Sequence, residues 1–500
     1  MKNQFKTYAD FVRHMQEIAL LGSTSSLLQW DQEVYMPVKG ADWRAEQLSL
    51  LSGITHELYL DEHFYHLLEE LSVDEELNYN EKSNVSVTLK DIRRKRKYTR
   101  DFVEELTATI SHSYAAWDEA KRTNRYAIFA PWLDKIIDLK RKEADFVGYN
   151  AHPYEALMEE FEPGMTVEFL DNLFTDLIPP LEELLEKINN ADTPRTDFLN
   201  LHFSKDKQWD LGIELLKTMG LDFDSGRQDI SPHPFTINNG RGDVRVTTRI
   251  SENNFSEMVW SCIHEGGHAL YEQGLGSSTY GLPEAEAASL GIHESQSRLW
   301  ENHVGRSLAF WKFYYPKLKA FFPEQFSNIN LNEFYAAINH VKPGLIRTAA
   351  DELTYHFHIK IRYEAEKKMI EGNLRAADLP AFWNALYSKY LKVNVPDDTS
   401  GVLQDVHWSH GSIGYFPTYT LGSLYASQFY RAANHSISEM EHQIQEGNFS
   451  ALQNWLKNSI FQHGRFLNSP DLCIKATGES LKINYFIEYL KEKYTEIYAI

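Results

Sequence analysis

Apolar residues recur at three- and four-residue spacing through most of this 500-residue chain, the pattern that commits a sequence to packed α-helices. Leucines and aromatics keep that rhythm through Phe5–Gln29, Gln47–Glu70, Lys82–Arg122 and Pro131–Val147, again in Thr166–Ile188, and over long stretches after Asn332. Turn-rich punctuation falls at Asn189–Arg195, Asp222–Pro234 and Asn394–Gly401. None of these breaks has the length or low complexity of a free linker. The clearest strand is Asp243–Ile250, where Val244, Val246, Thr248 and Ile250 alternate with Arg245, Thr247 and Arg249. With 43% hydrophobic residues there is material for a large core. The expected fold is mainly α: a large helical body over residues 1–500 with a small sheet near its middle.

Charge and composition exclude several functions. Fifty Lys and Arg against 71 Asp and Glu leave a net charge of −21, a field that repels phosphate backbones, so no nucleic-acid partner is expected. The basic run Arg93–Arg100 is bordered by Asp91, Glu104 and Glu105 and reads as a solvated helix face. Arg241-Gly242-Asp243 reads as the entry to the strand. No apolar run approaches the roughly 18 residues of a membrane span, and Met1–Gln16 lacks a secretory h-region, so a soluble cytoplasmic protein is expected. Two cysteines, Cys262 and Cys473, cannot supply a disulfide framework or a cysteine-rich zinc module. Any metal site must use histidine and carboxylate.

Residues 264–268 read His264-Glu265-Gly266-Gly267-His268, the H-E-x-x-H pattern. With 20 histidines and 71 acidic residues in 500 positions, chance supplies roughly 0.1 such matches, so context must carry the assignment. Phe255, Met258, Val259, Cys262, Ile263, Gly266, Ala269 and Leu270 form a helical stripe, with Asn254 and Glu257 as a capping pair and Gly274 as a stop. On that helix His264 and His268 stack one above the other and can grip one ion. Glu265, rotated by about 100°, is aimed at a water and not at the ion. Two adjacent glycines inside a helix cost about 1 kcal/mol each, which implies that a sheet edge or a substrate approaches closely there. Zinc needs a third ligand. Tyr271 and Gly274 stand where the metzincin extension requires glycine and histidine, which excludes that class. Among His293, Glu294 and Glu301 in the following helical segment, spacing alone makes no choice.

At this point the chain resembles the carboxypeptidase Taq family of zinc metallocarboxypeptidases. The resemblance is carried by Trp30–Pro37, Glu162–Thr166, His233-Pro234-Phe235, Gly242–Arg249, the metal helix, His293-Glu294-Ser295, Ile346–Asp351 and Gly401–Trp408. Together with the chain's more distant likeness to thimet oligopeptidase and angiotensin-converting enzyme, it implies a two-lobed helical body with a deep central groove, the sheet lying beside the metal helix. It also implies one Zn²⁺ per chain, with Co²⁺ able to substitute, and Glu294 as third ligand beside His264 and His268, making this a gluzincin. More distantly the chain resembles thimet oligopeptidase and angiotensin-converting enzyme. His410, Tyr415 and Tyr419 match in spacing the substrate-facing residues of the former.

From these resemblances follow the expected roles. Glu265 is the general base and proton donor to the leaving amine. Tyr415, with His410, stabilises the oxyanion. Arg347 grips the substrate's terminal carboxylate, the alternative being an i, i+4 pair with Asp351. Gln404, His407, Trp408 and Tyr419 line the substrate pocket. His233 stands where many relatives carry an acidic residue, and its place is on the substrate side. The Asp243–Ile250 strand offers its edge to the peptide. The expected activity is removal of single C-terminal residues, with broad specificity, from peptides with a free C-terminus by a homodimeric enzyme. An oligopeptidase or dipeptidyl carboxypeptidase on the same scaffold is the alternative.

Overall fold

The computed structural model describes residues 7–500. Among the described residues there are 21 α-helices and one three-stranded sheet. The chain divides into two compact units. The first comprises the chain up to Arg96, Arg195–Ile338 and Phe429–Ser480; the second comprises Lys97–Pro194, Asn339–Gln428 and Leu481–Ile500. No helix of the described residues is long and apolar enough to cross a membrane.

The helical rhythm survives with its breaks relocated. The first helix runs Tyr8–Val34 behind a Thr7/Asp10 capping box; Phe5, where it was expected to begin, lies outside the described residues. The expected Gln47–Glu70 helix is two, Ala41–Tyr59 and Glu62–Ser72, because Asp61 accepts the Phe64 N–H and starts a new helix. Thr99 likewise separates Tyr79–Lys95 from Arg100–Thr123. An N-cap occupies so few residues that apolar periodicity runs past it unseen.

In the first unit, Phe11 and Met15 pack with Phe64, Leu67 and Leu68 and with Val85, Leu89 and Ile92 to close one core cluster. A second anchor is aromatic: Phe255, at the start of the helix Phe255–Gly274, lies with its ring centroid 5.3–6.3 Å from those of Phe203, Phe322, Phe326 and Phe334. This fixes the N-terminal end of the helix that carries both histidines. Cys262 is buried, as its stripe position required.

The sheet comprises β1 (Gly226–Ile230), β2 (Thr236–Asn238) and β3 (Val244–Thr248), in the order β1-β3-β2. β1 pairs parallel and β2 antiparallel to β3. Val244 and Val246 are buried with Leu216 and Ala269, while Arg245 on the opposite face lies 4.2 Å over the Trp30 ring. Two expectations need correction here. The turn-rich Asp222–Pro234 stretch contains β1, its short polar sequence masking a strand. The strand expected to offer its edge is central, hydrogen-bonded on both sides, and has no edge to offer. The outer strands are β1 and β2. Phe235 and Asn239 spend their backbone groups on β3, so those of Thr236 and Asn238 turn outward.

In the second unit the helix Tyr355–Glu371 has 12 of its 17 residues buried, Arg362 and Glu366 included. It underlies the irregular segment Asp405–Tyr415.

Candidate active site

The two glycines of the metal helix explain how the site is assembled. A Cβ on Gly267 would lie 2.6 Å from Ser297 Cα and 2.7 Å from the Gln296 carbonyl oxygen. The element that approaches is therefore the backbone of the helix Leu290–Arg298, not a sheet edge or a substrate. On Gly266 a Cβ would meet Leu216 and Met219 at 2.8 Å. At the helix start, Asn254 accepts the Ser256 N–H, but Glu257 pairs with Arg249, so the expected capping pair is only half formed.

That close approach brings Glu294 to the histidines. Glu294 Oε2 lies 3.7 Å from His264 Nε2 and 3.6 Å from His268 Nε2. All three ligand atoms fall within 4.8 Å of one another. Ligand bonds of about 2.1 Å in a tetrahedral arrangement require donor separations of about 3.4 Å, so the donor set fits a small divalent cation. The other two candidates stand behind the ligands. His264 Nδ1 lies 2.9 Å from Glu301 Oε2. His268 Nδ1 lies 2.6 Å from His293 Nδ1, whose Nε2 is 2.8 Å from Glu272 Oε1.

One proton arrangement satisfies every contact: His264 and His268 each carry their hydrogen on Nδ1, His293 accepts from His268, and His293 Nε2–H donates to Glu272. Both Nε2 lone pairs are then presented to the cation position, the usual way acceptors behind a metal-binding histidine set its tautomer. Glu301 comes from a π-helical turn, Leu299–Gly305, that continues the ligand helix, a rare geometry often found at functional sites.

Charge in the cluster follows burial and neighbours. Burial favours a protonated Glu294, but Arg298, whose Nε donates to Glu294 Oε1 at 2.7 Å, and the two histidines hold it far below the usual carboxylate range. Burial lowers His268 to about 3. Burial works against charge on His264 as well, yet Glu294 and Glu301 raise it. Burial raises the Glu265 carboxyl. Glu265 is 8% exposed and is not one of the three residues whose donor atoms converge; Thr236 Oγ1 on β2 lies 2.8 Å from its Oε2.

The remaining expected residues assemble in the second unit, apart from His233, which is exposed in the β1–β2 turn of the first. Arg347 is 6% exposed and its partner is not Asp351. Its Nε and Nη2 contact Asp405 Oδ1 at 2.9 and 2.8 Å, its Nη1 donates to Tyr355, and Tyr419 lies under it at 4.8 Å. Asp351 is occupied instead in capping the turn before Tyr355, accepting from Leu353, Thr354 and Lys342. Arg362 holds the other oxygen of Asp405 at 2.5 Å. Burial, with the two guanidiniums, lowers His407 to about 3 despite Asp405. His407 Nε2 lies 3.2 Å from the Tyr419 hydroxyl. Gln404 accepts the Arg347 N–H and donates to Leu345, Tyr387, Ser400 and Gly401. Trp408 is buried and donates to Glu366. These two therefore tie the segment together. His410 is exposed and stacks on Tyr114 at 5.2 Å; Tyr415 packs on Phe161 at 5.2 Å.

Sequence reasoning passed over Thr236, Glu272, Arg298, Asp405 and Glu366. Glu272 and Arg298 stand four residues after His268 and Glu294, a spacing that places them on the ligands' faces. The other three meet their partners only through the fold.

A helical chain with an H-E-x-x-H helix and a buried glutamate converging on one cation position has the architecture of a metallopeptidase. Residues 10–494 match the carboxypeptidase Taq (M32) metallopeptidase family, and the chain belongs to it. It is 37% identical to carboxypeptidase 1 of Bacillus subtilis, covering 98% of each chain, and 38% identical to thermostable carboxypeptidase 1 of Pyrococcus furiosus, covering 98% of this chain and 99% of that one. The crystal structure of the M32 carboxypeptidase from Deinococcus radiodurans superposes with a TM-score of 0.97 at 38% identity, with 99% of each chain covered. The protein is an enzyme, a metallocarboxypeptidase.

Proposed function

We propose that the enzyme removes single C-terminal residues from peptides with a free C-terminus, using Zn²⁺ held by His264, His268 and Glu294. The observation that carries this is the convergence of two Nε2 lone pairs and one carboxylate oxygen, with Glu265 beside them and off the ligand set. When bound, the cation supplies Lewis acidity, polarising the scissile carbonyl and making water more acidic. Glu265 takes the proton of the attacking water and returns it to the leaving amine. Thr236 keeps Glu265 turned to that task. The outer edge of β2, and not β3, takes the peptide backbone in antiparallel pairing. Tyr415 and His410 donate to the oxyanion. Arg347 receives the terminal carboxylate on the guanidinium edge that Asp405 leaves open, with His407 and Tyr419 beside it, while Gln404 and Trp408 keep that pocket in shape. His233 lies on the substrate side. The enzyme works in the cytoplasm as a homodimer.

The test compares a free-acid peptide with its C-terminally amidated twin, with and without chelator, reading product masses. Single-residue losses from the free acid, abolished by chelator and slow on the amide, are expected. Arg347→Ala should cost about 10–100-fold in kcat/KM on the free acid, the worth of a charge-assisted hydrogen bond, and little more on the amide. Equal losses on both peptides would make Arg347 a purely structural partner of Asp405. Dipeptide or internal fragments would assign the dipeptidyl or oligopeptidase activity instead.

A further inference from the structure

The helix Tyr355–Glu371 carries two fully buried ionisable groups one turn apart, Arg362 and Glu366. Arg362 is matched by Asp405. Among the described residues Glu366 has no such ion-pair contact; its carboxylate is used to hold three donors. Oε1 accepts Trp408 Nε1–H at 2.8 Å, and Oε2 accepts the Gly414 N–H at 3.0 Å and the Tyr154 hydroxyl at 2.6 Å. Trp408 and Gly414 bracket His410 and stand just before Tyr415. Gly414 has φ +98°, and a Cβ there would lie 3.0 Å from the Met158 nitrogen, so the loop is seated directly on the backbone of the helix Pro153–Met158.

A buried carboxylate is a poor device for stability. Burial raises this one to about 7, with Tyr154, Trp408 and Gly414 pulling it back. Two of its three donors, an indole and a backbone N–H, cannot become acceptors, so each must face a carboxyl oxygen with a lone pair to give; only the Tyr154 hydroxyl can also accept.

We propose that Glu366 is a positioning residue for catalysis: by gripping Trp408 and Gly414 it sets where Tyr415 presents its hydroxyl. This rests on the reading of Tyr415 as oxyanion donor. A displaced donor weakens transition-state stabilisation without weakening ground-state binding. Glutamine cannot replace Glu366, because its amide N–H₂ must face one of the donor groups.

The test is a double-mutant cycle in the metal-loaded enzyme, with kcat and KM read separately on a free-acid peptide and metal content and Tm measured alongside. Glu366→Gln should lower kcat by about 10–100-fold, as misplacement of a reacting group does. KM should stay within about twofold and metal content should be parental. Combined with Tyr415→Phe it should be no slower than Tyr415→Phe alone. Trp408→Phe, which removes one donor and keeps the carboxylate, should show the same signature at smaller size and decides the matter if Glu366→Gln does not fold. Multiplicative losses with Tyr415→Phe, or parental kcat in folded Glu366→Gln, overturn the role of Glu366 alone. Parental kcat in Tyr415→Phe overturns the reading of Tyr415 and this proposal with it.

Discussion

Glu265 and Thr236 form the smallest unit on which the chemistry can be tested. The carboxylate is buried, off the ligand triangle, and held at 2.8 Å by one hydroxyl from β2. Glu265→Gln should therefore keep its metal, measured by elemental analysis, while turnover falls by several powers of ten. Metal loss in that variant would make Glu265 a ligand. Thr236→Val should retain metal and lose about 10–100-fold in kcat, the usual cost of removing a group that orients a reacting one. Among the three third-ligand candidates the geometry makes a graded forecast. Glu294→Ala should strip the metal; Glu301→Ala and His293→Ala should keep it with affinity weakened about 10–100-fold in chelator competition. Retention in Glu294→Ala would move the ligand elsewhere.

At the scale of elements, the packing of the ligand helix on the metal helix is set by the absence of one Cβ. Gly267→Ala should force the backbone at Gln296 and Ser297 away and lower metal content. Gly53→Ala, in the helix Ala41–Tyr59 with nothing within 4 Å of the new methyl, should stabilise by about 0.5–1 kcal/mol. Equal metal content in parent and Gly267→Ala would show that the close approach is incidental. The buried helix Tyr355–Glu371 has a pH signature of its own. Glu366 is raised from 4.5 to about 7 in the folded state, so between those values the folded chain holds a proton that the unfolded chain has lost. Stability contributed through this group therefore falls as pH rises across that window, by about 3 kcal/mol, and levels off above it. Glu366→Gln should remove that slope, so denaturation midpoints of parent and variant should diverge between pH 5 and 7.5. Parallel pH profiles would contradict it.

Over the whole molecule, one surface bears on assembly. Of the 19 residues in the helix Ala41–Tyr59 only Arg44 is buried, and Trp43, Leu50 and Ile54 are exposed on one stripe, with Leu20 and Leu27 exposed on the helix Tyr8–Val34. Exposed apolar residues at helical spacing are what a subunit contact would cover. If the proposed homodimer uses this face, sedimentation velocity should give a dimer for the parent and a monomer for Trp43→Glu combined with Leu50→Glu. A dimer that survives both charges lies on another face, and a monomeric parent removes the homodimer altogether.

What the sequence determined by itself is what local geometry can enforce. A 3.6-residue period places His264 and His268 on one face and turns Glu265 aside, apolar spacing marks the helices and buries Cys262, and two cysteines restrict the metal donors to histidine and carboxylate. Each of these depends on residues within a few positions of one another. The tertiary structure decided everything that depends on which distant segments meet. It placed Glu294 before the histidines and put Glu301 and His293 behind them, although all three looked alike in spacing. It made β3 central and β2 an edge, because β1 arose from a stretch that reads as a turn. It gave Arg347 to Asp405, 58 positions away, and not to the helically spaced Asp351, whose oxygens the backbone had already taken. It set Glu366 under a loop that begins about 40 residues on. Local periodicity carries no record of such partners, since a buried polar group is satisfied by whatever donor the packing delivers.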